Sequence, residues 1–231
     1  MSAHFVLRRS VRYGVRNRLS KIVCALLLSS VAVAARAETV TIVALGDSLT
    51  QGYGLFQEDG FVPQLERWLT DQGEDVALVN AGVSGDTTAG GLARLEWTLT
   101  REVDALIVAL GGNDLLRGLP PEVSRANLEG ILQIAQSHDL PVLLVGLPAP
   151  GNYGPEYKQA FDAMYPELAA QYGALHVESF LGGLEDLGDR DRVVQSYMQS
   201  DGIHPNADGV SLIVATLGPD VQALIRMVEE P

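Results

Sequence analysis

The chain has 231 residues, with 16 Lys/Arg against 29 Asp/Glu and a formal charge of −13. That balance argues against nucleic acid as a partner, because phosphate binding needs clustered Lys/Arg. One cysteine, Cys24, leaves no disulfide framework, and the length suits a single domain that buries roughly 70% of its unfolded surface.

The first 37 residues carry seven Lys/Arg and no acid. Six of these bases, Arg8 to Lys21, precede an apolar stretch over residues 22–34. Ala35-Arg36-Ala37 then gives an A-x-A cleavage pattern. This layout reads as a secretory signal peptide over residues 1–37, cut after Ala37. The stretch is 13 residues long, short for a bilayer span of about 20. An uncleaved anchor is the competing reading. Arg8-Arg9 leaves the export route, general secretion or twin-arginine, open. Cys24 sits inside the apolar stretch rather than after it, unlike a lipid-anchored cysteine. Without the leader, 194 residues remain, with nine Lys/Arg, 29 Asp/Glu, a formal charge of −20 and no cysteine.

Beyond the leader, strand and helix patterns alternate. Residues 39–45 are β-branched and apolar, a buried strand. Residues 61–70 have helical spacing, with Phe61, Leu65, Trp68 and Leu69 on one face. Residues 76–80 form a short strand ending at Ala81-Gly82. Residues 87–99 read as a helix with a Leu92, Leu95, Leu99 stripe. Residues 104–110 are a continuous apolar strand closed by Gly111-Gly112. Residues 121–137 are a helix opened by Pro121, where a missing N–H costs nothing. Residues 141–146 are a fourth strand. Residues 155–172 are helical, with Pro166 expected to kink or restart the helix. Residues 174–177 are a fifth strand, and 182–191 read as a polar surface loop. Two helices close the chain, 206–217 and 219–229, divided at Gly218-Pro219.

Apolar strands alternating with helices predict a parallel sheet covered on both faces. The expected fold is a single-domain α/β protein, residues 38–231: a flavodoxin-like three-layer α/β/α sandwich with about five parallel strands. In such sheets ligands sit beyond the carboxyl ends of the strands. The unusual loops, 46–54, 81–86, 111–114 and 148–153, each follow a strand and should meet at one edge.

Ser48 follows the first strand. Alone it reads more readily as a helix N-cap than as a nucleophile. The Gly-rich loop 46–54 lacks both nucleotide-binding glycine spacings. Three histidines follow the leader. His138 ends a helix, where a cation suits the dipole, and His176 lies in a strand. His204 stands three residues after Asp201 and just before a helix. That spacing serves simple capping, or it lets the carboxylate hold Nδ1–H and leaves Nε2 to take a serine proton. Gly82 and Asn113 each follow a strand and serve either as turn residues or as donors to an oxyanion. Ser48 N–H would be the third donor. Asp47 would brace the turn by accepting backbone N–H bonds. Ser48 itself is expected to sit at the helix cap with its hydroxyl free. Scattered histidines and no cysteine argue against zinc, and no metal or cofactor is expected.

Four ordered blocks, Gly46-Asp47-Ser48-Leu49-Thr50, residues 80–87 with Asn80-Ala81-Gly82, Gly111-Gly112-Asn113-Asp114 and Asp201-Gly202-Ile203-His204-Pro205-Asn206, together resemble the SGNH (GDSL) hydrolase family over residues 40–225. The resemblance implies Ser48 as nucleophile, Asp201 and His204 as its triad partners, and Gly82 and Asn113 as oxyanion donors. Residues 148–157 further resemble the periplasmic thioesterase/lysophospholipase subgroup, also described as arylesterases. There the segment is a mobile loop beside the acyl site, which makes Pro150, Asn152 and Tyr153 substrate-loop candidates. No Gly-x-Ser-x-Gly elbow is present, unlike an ordinary α/β-hydrolase. The implied protein is a monomeric, periplasmic or secreted serine hydrolase for small esters or lysophospholipids, with no stable membrane insertion. Two other readings stand beside it: an exported carbohydrate acetylesterase, and a non-catalytic acyl- or glycan-binding module.

Overall fold

The computed structural model describes Met1, residues 39–99 and residues 102–229. Apart from Met1, the expected leader lies outside the described residues. Every element below belongs to the compact unit Glu38–Pro231.

Five strands form one parallel sheet: β1 (Val40–Gly46), β2 (Val76–Gly82), β3 (Ala105–Ala109), β4 (Val142–Val145) and β5 (Leu175–Val177), in the order β2-β1-β3-β4-β5. This is the flavodoxin-like order. The apolar run of β1 is explained by burial on both faces. Ile42 and Ala44 enter one core, while Val43 and Leu45 enter the other. The first core is covered by α2 (Phe61–Asp71) and by the long C-terminal α9 (Ala207–Glu229), through Leu65, Leu69, Ile213, Leu217 and Leu224. The second is covered by α3 (Thr88–Thr98), α5 (Pro121–Ser137) and α6 (Pro155–Tyr172), through Leu95, Leu128, Ile131, Phe161 and Leu168. Helix, sheet and helix make the three layers.

Neither proline divides its helix. Pro166 lies inside α6 and Pro219 inside α9. Each removes one intrahelical hydrogen bond, and buried residues lie on both sides of it in the core. Leu217 and Val221 flank Pro219 in the core, as Tyr165 and Leu168 flank Pro166. Gly218 is a contact rather than a divider, since a Cβ there would sit 2.4 Å from the Trp68 ring. The expected loop over residues 182–191 holds α7 (Gly182–Glu185) and the start of α8 (Arg190–Tyr197). Asp189 caps α8 by accepting a hydrogen bond from Arg192 N–H at 3.1 Å. α9 is long and apolar enough to cross a bilayer by composition; here its apolar side packs on the sheet.

Register puts the site at one edge. Gly46, the last residue of β1, pairs with Gly82 of β2 and with Ala109 of β3. Three strands therefore end at the same level, and the loops after them open onto a common cleft.

Candidate active site

Asp47 turns the chain out of β1 into the single-turn helix α1 (Ser48–Gln51). It is Asp47, not Ser48, that caps this helix, accepting Leu49 N–H at 3.0 Å. The cap leaves the Ser48 hydroxyl uncommitted to the backbone. His204 arrives from the loop before α9, and its Nε2 lies 2.9 Å from Ser48 Oγ, across 156 residues of sequence. On the other side of the ring, Nδ1 lies 2.6 Å from Asp201 Oδ2.

Asp201 also accepts Ile203 N–H at 2.9 Å and His204 N–H at 3.0 Å through Oδ1. These three donors, led by His204 N–H, pull its carboxyl down to about 2. An ionised Asp201 fixes the proton on Nδ1 and turns the lone pair of Nε2 toward the serine. The ring of Tyr53 packs on that of His204, with centroids 4.6 Å apart. The arrangement can move a proton from Ser48 Oγ onto an imidazole that is already oriented.

Asn113 sits in the first turn of α4 (Gly112–Leu116) and lines the cleft. Its Nδ2 donates to Asp47 Oδ2 at 3.2 Å. One amide hydrogen is thereby anchored, and the other has no partner among the described residues. Asp47 is buried, which pushes its carboxyl up, against the lowering effect of the Leu49 and Asn113 hydrogen bonds. The next residue, Asp114, is wholly buried and accepts from Thr88 N–H at 2.8 Å, Thr88 Oγ1 at 2.6 Å and Ser124 Oγ at 2.9 Å. It pins the Asn113 turn to α3 and α5.

Gly82 is not brought to the cleft. Its N–H donates to Asn80 Oδ1 at 2.9 Å. Its lack of a side chain serves packing instead: a Cβ would lie 2.3 Å from Gln51 N, where α1 crosses the end of β2. Three residues on, Gly85 lines the cleft with φ +83°. Among the described residues its N–H has no partner, while its carbonyl accepts Arg117 Nη2 at 2.7 Å. Gly85 and Arg117 were missed in the sequence. The signal was present in the second glycine of the same block, but not which of the two N–H groups faces inward.

The cleft is a cavity of about 280 Å³ lined by Asp47, Ser48, Tyr53, Gly85, Asn113 and His204. It runs into a second, apolar groove of about 530 Å³. Leu115, Leu116, Leu147, Leu181 and Ile203 line both. Of the substrate-loop candidates, Pro150 lines the groove. Tyr153 packs instead on Tyr157 and over Gly118, and Asn152 is exposed away from both cavities. The far wall is α8, through Val193 and Val194, an element absent from the sequence reading. His138 ends α5 beside Glu96 at 3.5 Å, and burial pushes His176 in β5 below its ordinary range.

The match to the model of the GDSL-like lipase/acylhydrolase family spans residues 44–212. The chain belongs to this family. As a GDSL-family (SGNH) hydrolase it is an enzyme of carboxylic ester hydrolysis, in the esterase, thioesterase and lysophospholipase branch. Esterase TesA of Pseudomonas aeruginosa is 40% identical, covering 87% of this chain and 99% of that protein. Thioesterase 1/protease 1/lysophospholipase L1 of Escherichia coli K12 is 35% identical, over 80% of this chain and 85% of its own. The crystal structure of AlinE4, an SGNH-hydrolase family esterase, superposes with a TM-score of 0.65 at 42% identity, covering 80% of this chain and 96% of that one.

Proposed function

We propose that this GDSL-family hydrolase is an exported serine esterase that cleaves acyl esters and thioesters, lysophospholipids among them, by two-step acyl transfer. The single observation that carries the reading is the unbroken path from Ser48 Oγ to His204 Nε2 at 2.9 Å and from Nδ1 to Asp201 at 2.6 Å. His204 takes the Ser48 proton as Oγ attacks the acyl carbonyl carbon. The oxyanion accepts from Ser48 N–H, at the start of α1, from Gly85 N–H and from Asn113 Nδ2, each worth about 3–4 kcal/mol in the transition state. His204 then protonates the departing alcohol or thiol, and the C–O or C–S bond breaks. Water, deprotonated by the same imidazole, attacks the acyl-serine, and the proton returns to Ser48 as the acid leaves. The acyl chain lies along Leu116, Leu147, Leu181 and Ile203, toward α8. A −20 domain is repelled by anionic surfaces, which favours zwitterionic lysophospholipids and neutral esters. Residues 1–37 direct export and are removed after Ala37.

One measurement tests chemistry and processing together. Protein recovered after export and treated with an organophosphonate ester probe is digested and mass-analysed. The expected adduct is on Ser48 of a chain that begins at Glu38. An adduct on Ser84, which also lines the cleft, overturns the nucleophile. A chain that retains Met1 overturns the leader.

A further inference from the structure

We infer that Gln199 is a positioning residue that sets the reach of His204 to Ser48. The inference rests on the triad reading above. The two reacting side chains come from loops far apart in sequence, and the segment carrying His204 has little regular structure of its own. It is a turn closed by an isolated bridge between Met198 and Pro205, by Gln199 N–H to His204 O at 2.7 Å and by Gly202 N–H to Gln199 O at 2.9 Å. One carboxamide ties this turn to the loop that carries the serine. Gln199 Nε2 donates to Tyr53 O at 2.7 Å and to Pro205 O at 2.9 Å.

Tyr53 is the other half of the tie. Its N–H donates to Ser48 O at 3.1 Å, closing the end of α1, and its ring lies on the imidazole. Gly54 lets the chain pass close to Gln199, since a Cβ there would sit 2.2 Å from Oε1. A closed circuit results: Ser48 to Tyr53, Tyr53 to Gln199, Gln199 to Pro205, and His204 back to Ser48. Apart from the Ser48–His204 bond itself, Gln199 makes the only side-chain hydrogen bond between residues 46–56 and 197–206 among the described residues. A carboxamide offers two hydrogens in fixed planar geometry, and here both meet carbonyls. A carboxylate of the same shape offers none and repels both. Misplacing a reacting group by 1 Å can cost about a hundredfold in rate.

The test compares Gln199→Met, which keeps the volume, with Gln199→Glu, which keeps the shape without the donors. Both are assayed on a soluble short ester well below their melting temperatures, with folded protein quantified by circular dichroism. The expected result is a kcat lower by about ten- to a hundredfold in both, KM within about twofold, and a parallel fall in the rate of phosphonate labelling. A purely structural tie lowers Tm but leaves kcat and labelling rate per folded molecule within about twofold, and that result overturns the inference. Ser48→Ala is run beside them. Activity retained there defeats the triad reading itself, whatever the Gln199 variants do.

Discussion

Asp47 and Asp201 are two carboxylates beside one serine, held in opposite ways. Asp201 is exposed and saturated with N–H donors, so its carboxyl sits at about 2. Asp47 is buried, and burial pushes it up. Asp201 therefore stays ionised throughout the working pH range, and its own protonation does not set the acid limb of kcat/KM. We expect Asp201→Asn to lower kcat by about 10⁴, because the amide no longer selects the Nδ1–H tautomer, with circular dichroism unchanged. The sign of its stability effect follows from the depressed value. The wild-type carboxylate stabilises the fold above the ordinary carboxylate range and loses that contribution as pH falls toward 2. The gap in Tm between wild type and Asp201→Asn should thus be present at pH 7 and close near pH 2. A gap that widens in acid contradicts the assignment. Ser48, Asn113, Asp201 and His204 were legible because each stands at a fixed offset from a strand end or from its partner. The choice between Gly82 and Gly85 was not. It depends on α1 lying across the end of β2, a contact between elements that no local pattern encodes.

At the scale of elements, strand order and helix faces were readable because both sheet faces are buried and each helix carries one apolar stripe. The errors fall where tertiary packing overrides local signals. Pro166 and Pro219 look like boundaries, yet each sits between residues fixed in the core. Gly218 looks like a breaker, yet it is a seat for Trp68. α7 and α8 escaped notice because one- and two-turn helices give too few repeats for a periodicity, and α8 buries no residue fully. That omission hid two walls of the second groove, which is bounded by α4, α7, α8 and the 148–150 segment. The groove carries its own prediction. Each CH₂ that enters it gains up to about 0.8 kcal/mol, roughly fourfold in kcat/KM. Across p-nitrophenyl esters from acetate to palmitate, kcat/KM should rise by about tenfold or more from acetate to hexanoate before levelling where the chain leaves the groove. A profile that peaks at acetate and falls thereafter would instead identify a carbohydrate acetylesterase.

At the scale of the whole molecule, charge separates substrates that the cleft alone would treat alike. The domain carries nine Lys/Arg against 29 Asp/Glu, and several of those bases are tied to acids, as Arg94 is to Asp86 at 2.6 Å and Arg125 to Glu167 at 2.7 Å. The summed field repels polyanions before any contact is made. An acyl-CoA presents a thioester, one of the proposed substrate classes, on a carrier the surface repels, whereas a p-nitrophenyl ester of the same acyl group is neutral. Screening shortens the reach of that field from about 30 Å at 0.01 M salt to about 8 Å at 0.15 M. We therefore expect kcat/KM for an acyl-CoA to climb several-fold over this range while that for the matched neutral ester stays flat. The comparison needs only stopped-rate assays at two salt concentrations. Equal salt responses for the two substrates would mean that the negative surface does not govern approach to the cleft. A fall for acyl-CoA with salt would instead point to a local cationic path, for which Arg190 in the wall of the second groove is the candidate.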